Sequence, residues 1–332
     1  MEYRANSDRP ANGDAGPRRR QTISRCPPPW RASLIPRVVV AALCSLWTVQ
    51  GIAQELTPRA YWPMPVGTNA LVLGYQRNTG DIVIDPSLPI TGVESEIDYF
   101  QVTYQRSFNL FGRSAAAQLS LPFADGFTEG TVEGEFLQRK TTGITDARFR
   151  IAVNLVGAPA MDAEGFRALR GDPKTIVGAS LLLQAPTGEY DSDKLLNLGT
   201  NRWAVKPAFG MIVPLRPTWL FEIEVGAWFF GDNDDFLGET REQNAIVSTE
   251  MHLIKRIRPG FWASLDVNYY RGGETRVGPD FNDDLQRNSR AGFTLVFPVK
   301  GRHALRGSFS TGVSTRSGGD FEMYTLSYLY AW

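Results

Sequence analysis

Ten ionisable residues stand where chemistry could be done: Arg148, Arg150, Lys206, Glu222, Glu224, Glu250, His252, Asp266, Arg290 and Arg306. Most of them lie between large apolar neighbours, as Arg150 lies between Phe149 and Ile151 and Glu222 between Phe221 and Ile223. On a β-strand adjacent side chains point to opposite faces, so each charge and its neighbours face different environments. In chain order the charges run basic, acidic, basic, which places an acidic arc between two basic arcs. If the polar faces line one interior, the chemistry is that of a polar passage with a transverse field that orients solutes. The same residues also suit an ion-pair network that fills the interior, with Lys206 beside Glu222 or Glu224 and Asp266 beside Arg290. Both readings stay open at this level.

Bond-making chemistry has less support. The only histidines are His252 and His303. His252 shares a face with Glu250, which permits an acid–base pair. A hydrolase needs a serine or other nucleophile held against that base, and nothing singles out Ser248 or Ser264. The acidic run Asp232–Asp235 misses the spacing of a calcium loop, because Phe236 occupies the fifth position. It reads as a solvated loop that bridges divalent cations and lipopolysaccharide. Cys26 and Cys44 are the only cysteines. No catalytic, cofactor or metal site is expected.

Strands are the elements that must position these charges. Alternation of apolar and polar residues marks twelve segments: 69–78, 98–108, 114–122, 144–155, 175–185, 202–213, 218–230, 243–256, 260–271, 288–299, 303–313 and 321–332. Most match the ~9–11 residues that a tilted transmembrane strand requires. The last is the clearest: Tyr324, Leu326, Tyr328, Tyr330 and Trp332 alternate with Thr325, Ser327, Leu329 and Ala331. Connections alternate between tight (109–113, 214–217, 257–259, 300–302) and long (79–97, 123–143, 186–201, 231–242, 272–287, 314–320). The segment 156–174 replaces one tight turn. Sorting of loop lengths by side is the habit of outer-membrane barrels. A charge on the lipid face near the bilayer middle would cost roughly 2–4 kcal/mol for Arg or Lys, so the ten residues are assigned to the lumen. The expected fold is all-β: a transmembrane, antiparallel, up-and-down barrel of about 12 strands. Tyr99, Phe100, Phe123, Trp203, Trp219, Phe230, Trp262 and Trp332 are expected at the membrane interfaces. Twelve strands enclose a modest bore, so the lumen is expected to be narrow or partly plugged.

Residues 1–53 read as an export leader: arginines, then the apolar run Val38–Trp47, then Gly51-Ile52-Ala53 as a cleavage site. Both cysteines fall in it. The remaining 54–332 reads as a single outer-membrane barrel domain without disulfides. It holds 27 basic and 32 acidic residues. That balance argues against a nucleic-acid partner, which calls for a basic surface. The expected partners are outer-membrane lipid and lipopolysaccharide, the barrel-assembly machinery and a small-molecule solute.

The chain also resembles the outer-membrane family named for the MetA pathway of phenol degradation. The densest likeness is Pro186-Thr187-Gly188-Glu189-Tyr190-Asp191 followed by Asn197-Leu198-Gly199-Thr200-Asn201-Arg202-Trp203. Leu56–Tyr61, Pro65–Asn69, Asp85–Pro89 and Gly157–Ala160 add weaker pieces in order. The resemblance implies a transporter of small hydrophobic or aromatic compounds and supplies no catalytic residues. The alternative is a closed structural or adhesion-type barrel without transport activity. The 186–203 segment reads either as a constriction in the barrel mouth or as a self-packed outer loop.

Overall fold

The computed structural model describes residues 50–51, 56–80, 90–132, 135–194, 196–317 and 320–332. The expected leader and its cleavage site after Ala53 lie almost wholly outside these residues. The chain forms the strands β1 (Asn69–Gly80), β2 (Ile90–Leu110), β3 (Arg113–Val132), β4 (Glu135–Ile144), β5 (Ala147–Val156), β6 (Ile176–Ala185), β7 (Ala204–Arg216), β8 (Trp219–Phe230), β9 (Asn233–Phe236), β10 (Glu239–Gln243), β11 (Ile246–Arg258), β12 (Phe261–Gly272), β13 (Thr275–Val277), β14 (Asp280–Phe281), β15 (Gln286–Lys300), β16 (His303–Ser314) and β17 (Phe321–Ala331). The helix α1 (Ala163–Gly171) lies between β5 and β6.

Pairing is antiparallel around a closed ring, β1-β2-β3-β4/β5-β6-β7-β8-β11-β12-β15-β16-β17 and back to β1. β4 and β5 act as one strand with a break at Thr145-Asp146, since both pair with β3 in consecutive stretches. The barrel therefore has twelve strands. Closure leaves no free edge, the condition for placing a sheet in hydrocarbon. The seam runs from Phe321 opposite Gly80 to Ala331 opposite Ala70. It ends where Asn69 and Trp332 exchange backbone hydrogen bonds, each 2.9 Å.

Alternation sets the two faces. Leu265, Phe293 and Leu326 are 64%, 51% and 56% exposed on the outside. Their neighbours Asp266, Thr294 and Ser327 are buried within. With this apolar outer wall the chain is an outer-membrane barrel. No helix among the described residues is long and apolar enough to cross a membrane; the crossing elements are strands.

Three differences from the sequence reading have physical causes. The connections 79–97 and 123–143 are largely strand, because β2, β3 and β4 continue past the lipid zone as a tall hairpin. Its residues, such as Thr128, Glu129 and Thr131, carry no apolar alternation; the inward face is polar, with Ser95 donating to the buried Thr128 hydroxyl at 2.9 Å. The connections 231–242 and 272–287 contain β9, β10, β13 and β14, which form a small second sheet. Lastly, Tyr99, Phe230 and Trp262 point inward and not to the interface. Trp262 is needed in an internal core, described below, while Phe100, Phe123, Trp203 and Trp332 are exposed outside.

Trp332 sits at the point of closure. Its ring stacks on Tyr330 at 5.4 Å between centroids and lies 6.4 Å from Tyr104 on β2. Deleting it removes these contacts and the last pair of seam hydrogen bonds. Slower barrel formation is expected, read as delayed appearance of the heat-modifiable band; an unchanged time course would dismiss this role.

Candidate functional site

The interior has three levels. At the tight-turn end the lumen is floored by the segment Leu56–Gly67 and by α1. Pro58, Pro63 and Pro65 prevent this segment from joining the ladder as a strand. It enters the barrel and finds its partners on the wall. The Arg59 backbone N–H donates to Glu222 Oε2 at 2.6 Å, and the Thr57 hydroxyl to Glu250 Oε2 at 3.2 Å. Arg306 donates to the Leu56 carbonyl at 2.9 Å, and Arg150 to that of Ala60 at 3.3 Å. Tyr61 is buried, its hydroxyl 3.0 Å from Ser180 Oγ. Burial, then the Glu224 carboxylate, raise the Tyr61 phenol above its usual range and keep it protonated. Its ring occupies room left by two wall glycines: a Cβ at Gly178 or Gly210 would lie 2.3 or 2.0 Å from it.

The helix completes the floor. Asp162 caps it by accepting from the N–H groups of Glu164 and Gly165, with Arg170 in the last turn against the dipole. Leu169 packs with Tyr61, Ile176, Ile212, Leu220, Ile254 and Trp262 into an apolar cluster. Sequence reading missed this element, although Asp162 followed by Phe166 and Leu169 was a usable start signal.

The middle level is a ladder of charge. Glu224 and Glu250 face each other across the β8–β11 pair. Lys206 lies between them, its Nζ 2.9 Å from Glu224 and 3.1 Å from Glu250. Arg150 reaches Glu224 at 3.1 Å. His252 Nδ1 lies 2.8 Å from Asp266, whose other oxygen accepts from Thr294 at 2.8 Å. Arg290 donates to the carbonyls of Ser310 and Phe321 at 3.1 and 2.9 Å. Of the expected pairs, Lys206 with Glu224 is present and Asp266 with Arg290 is not. Lys206 takes Glu224 and Glu250, not Glu222, whose carboxylate holds the Arg59 backbone. Asp266 takes His252, not Arg290. His252 lies between two carboxylates, with Glu250 at 3.8 Å on its other side, and this orients it without a nucleophile.

Replacing Lys206 with Met leaves two opposed carboxylates without their shared cation. A loss of about 3–5 kcal/mol is expected for breaking such a buried pair from one side. It should lower the temperature at which the purified barrel loses its heat-modifiable migration. Adding Glu250→Gln should recover part of the loss; no recovery would mean that Lys206 acts through packing.

The third level is a vestibule at the long-loop end. The segment between β6 and β7, 186–203, folds inward and crosses the mouth. Asp146, at the β4–β5 break, pins it. Its carboxylate accepts from Gly188 N and Thr200 N, both at 3.0 Å, from Thr200 Oγ1 at 2.6 Å and from Gln184 Nε2 at 3.1 Å. The two limbs touch at Gly188 and Gly199, where any Cβ would lie under 3 Å from the opposite backbone. Leu198 packs against the inner-face cluster of Ile97, Ala124, Phe321 and Met323. Tyr190 donates to the Asp235 carbonyl at 2.9 Å and accepts from Asn233 at 2.8 Å. Asn233 is buried, so the run Asp232–Asp235 is half-structured by β9 and is not a free loop.

Beneath the crossing segment lies a cavity of about 250 Å³. Aromatic rings of Tyr99, Tyr190, Trp228, Phe230 and Phe236 share its wall with Arg148, Arg202 and Arg241. The Arg202 guanidinium lies over Phe230 at 4.8 Å and that of Arg241 over Phe236 at 5.8 Å. Of the ten residues marked from sequence, only Arg148 lines this cavity. Its other members come partly from barrel strands, as Tyr99, Gln184, Trp228, Phe230 and Ile246, and partly from connections, as Tyr190, Asn197 and Arg202.

Comparison with known proteins agrees with this architecture. The profile of the family described as "Putative MetA-pathway of phenol degradation" matches residues 75–330. The chain belongs to this family. A search of curated proteins found no match. Among solved structures, the COG4313 outer membrane channel from Pseudomonas putida F1 superposes with a TM-score of 0.70 at 22% identity, covering 84% of this chain and 100% of that one. The β domain of the Bordetella autotransporter BrkA gives 0.47 at 12% identity, over 80% of this chain and 100% of that one. The CymD monoaromatic hydrocarbon channel gives 0.43 at 8%, over 81% and 89%. The first likeness bears on the fold; the other two are too slight to carry an argument.

Proposed function

We propose that this family member is an outer-membrane channel that passes small hydrophobic or aromatic molecules. The observation that carries the reading is the vestibule: an aromatic-walled cavity of about 250 Å³ inside a closed barrel, under a segment tied across the mouth. Here rings provide an apolar surface, and the charges beneath are satisfied by one another or by the backbone. The family description, phenol degradation, points to the same solutes. The chain acts without bond-making chemistry on this reading, since His252 is held by carboxylates. Lipid and lipopolysaccharide surround it, and the terminal strand β17 engages the assembly machinery. Residues 1–53 serve as its export leader.

The second reading, a closed structural barrel, is favoured by one feature: the floor of Leu56–Gly67 and α1 fills the lumen at the tight-turn end. Liposome uptake separates the two. Purified protein should admit a small aromatic compound while excluding a charged sugar. Exclusion of every small solute would leave the structural barrel.

A further inference from the structure

We propose that the outer wall of β8, β11, β12 and β15, at the tight-turn end, is a binding site for one anionic phospholipid, of the phosphatidylglycerol type; the site is independent of what the lumen passes. Register puts a cation on this wall. Trp219, Lys255, Ala263 and Leu295 are successive Cα partners across the four strands. Directly opposed residues of an antiparallel ladder project from the same face. Leu295 is exposed on the apolar outside, so Lys255 stands on the lipid-facing side. Its Nζ lies over the Trp219 ring at 4.9 Å and donates to Thr218 Oγ1 at 3.0 Å. Arg258 is exposed at the end of β11. Its guanidinium lies 5.7 Å from the Phe261 ring and 5.5 Å from that of Phe297, two rings that meet edge to face at 5.4 Å. Rings at a strand end mark the level of the lipid headgroups.

Charge selects the occupant. Residues 214–219, 255–261 and 299–303 contain six Arg and Lys and no Asp or Glu. Arg256 turns to the floor, where it donates to the carbonyls of Pro217 and Arg170. Arg216, Lys255, Arg258, Lys300 and Arg302 form no ion pair among the described residues. The long connections of the same half of the barrel, 186–201, 231–242 and 272–287, are the opposite, with 12 acidic and 4 basic residues. Tight turns of an outer-membrane barrel face the periplasm, so the basic end meets the phospholipid leaflet. A guanidinium stacked on rings keeps the donors of its planar fork for a phosphate, and Lys255 adds a point charge. Ala263 is a short side chain beside Lys255, with Leu265, Phe293 and Leu295 exposed further along the wall. Acyl chains fit this column while the phosphate meets the cations. A soluble phosphate would use the cations and none of the wall. A zwitterionic headgroup brings its own ammonium, which offsets the attraction.

The test is native mass spectrometry of the purified barrel in detergent, titrated with phosphatidylglycerol and phosphatidylethanolamine of the same acyl chains. One phosphatidylglycerol is expected to stay bound in preference, with Lys255 and Arg258 each contributing about fivefold. Lys255→Gln or Arg258→Gln should cut the preference by about that factor, and the double variant should abolish it. Lys140→Gln, exposed near the long-loop end, should leave it unchanged. Excess glycerol 1-phosphate should not displace the lipid, because it has no acyl chains. Heat-modifiable migration checks the fold of each variant, and the comparison of the two lipids on the unaltered protein stands without them. Equal retention of both lipids overturns the site. A preference that survives in the folded double variant places the lipid elsewhere and overturns it too. Displacement by glycerol 1-phosphate would replace the lipid with a soluble phosphate and likewise overturns it.

Discussion

Removal of Leu56–Val66 is expected to raise the ion conductance of the barrel in planar bilayers several-fold. This segment is the main obstruction at the tight-turn end, and its bulk is concentrated in Tyr61 and Trp62. The Tyr61 ring lies between Gly178 and Gly210, where the wall has been hollowed to receive it. Without the segment, Glu222 loses the Arg59 backbone donor and Glu250 loses Thr57. Both carboxylates would then face water that fills the vacated space, which keeps them hydrated and adds cation selectivity. The barrel itself should persist, because Asn69 and its seam with Trp332 lie beyond the deletion. Tyr61→Ala should give a smaller rise, since the main chain and its hydrogen bonds remain. Tyr61→Phe, which loses only the Ser180 contact, should change little. Conductance unchanged by the full deletion would shift the obstruction up to the charge ladder around Lys206.

The contrast between β17 and this segment explains what the sequence made legible. In β17 every second residue meets lipid, so facing follows from a period of two, and the same holds for β8, β12 and β15. Strand order and number follow from such segments because an up-and-down barrel joins neighbours in sequence. Leu56–Gly67 has no period. Its fold depends on carboxylates more than 160 positions away along the chain, and no local spacing announces them. The ladder was legible only in part for a related reason. Alternation put Lys206, Glu222, Glu224 and Glu250 on one face, but pairing depends on the shear between strands. That shear brings Lys206 to Glu224 and Glu250 and leaves Glu222 for the Arg59 backbone. The vestibule was less legible still. Arg241 stands in a connection, Arg202 precedes the observed start of β7 although the pattern put it inside the segment 202–213, and Asp146 lay unremarked in the segment 144–155 until its four donors were in view.

Asp146 therefore carries the other large expected effect. Asp146→Ala should release the 186–203 segment from the mouth and make it open to protease. The substitution strands Gly188 N, Thr200 N, Thr200 Oγ1 and Gln184 Nε2 together. A buried donor left unsatisfied costs ~1–3 kcal/mol. Water can reach the side chains, so the two backbone N–H groups at the lower figure set a conservative sum of about 2 kcal/mol, or about thirtyfold more of the open form. Lys194 lies exposed on this segment, and trypsin cleavage after it, located by mass spectrometry, reads that population. The remaining ties, Leu198 in its apolar cluster and Tyr190 on Asn233 and Asp235, resist release and keep the effect below complete opening. Asp146→Asn should fall between, because its amide oxygen still accepts while its nitrogen faces donors. Uptake of solutes too large for the native mouth should rise in the same order, Ala above Asn above native. If cleavage after Lys194 proceeds at the native rate in the Ala variant, the segment is held by Gly188 against Gly199 and by Tyr190, and Asp146 is no more than a satisfied buried acid.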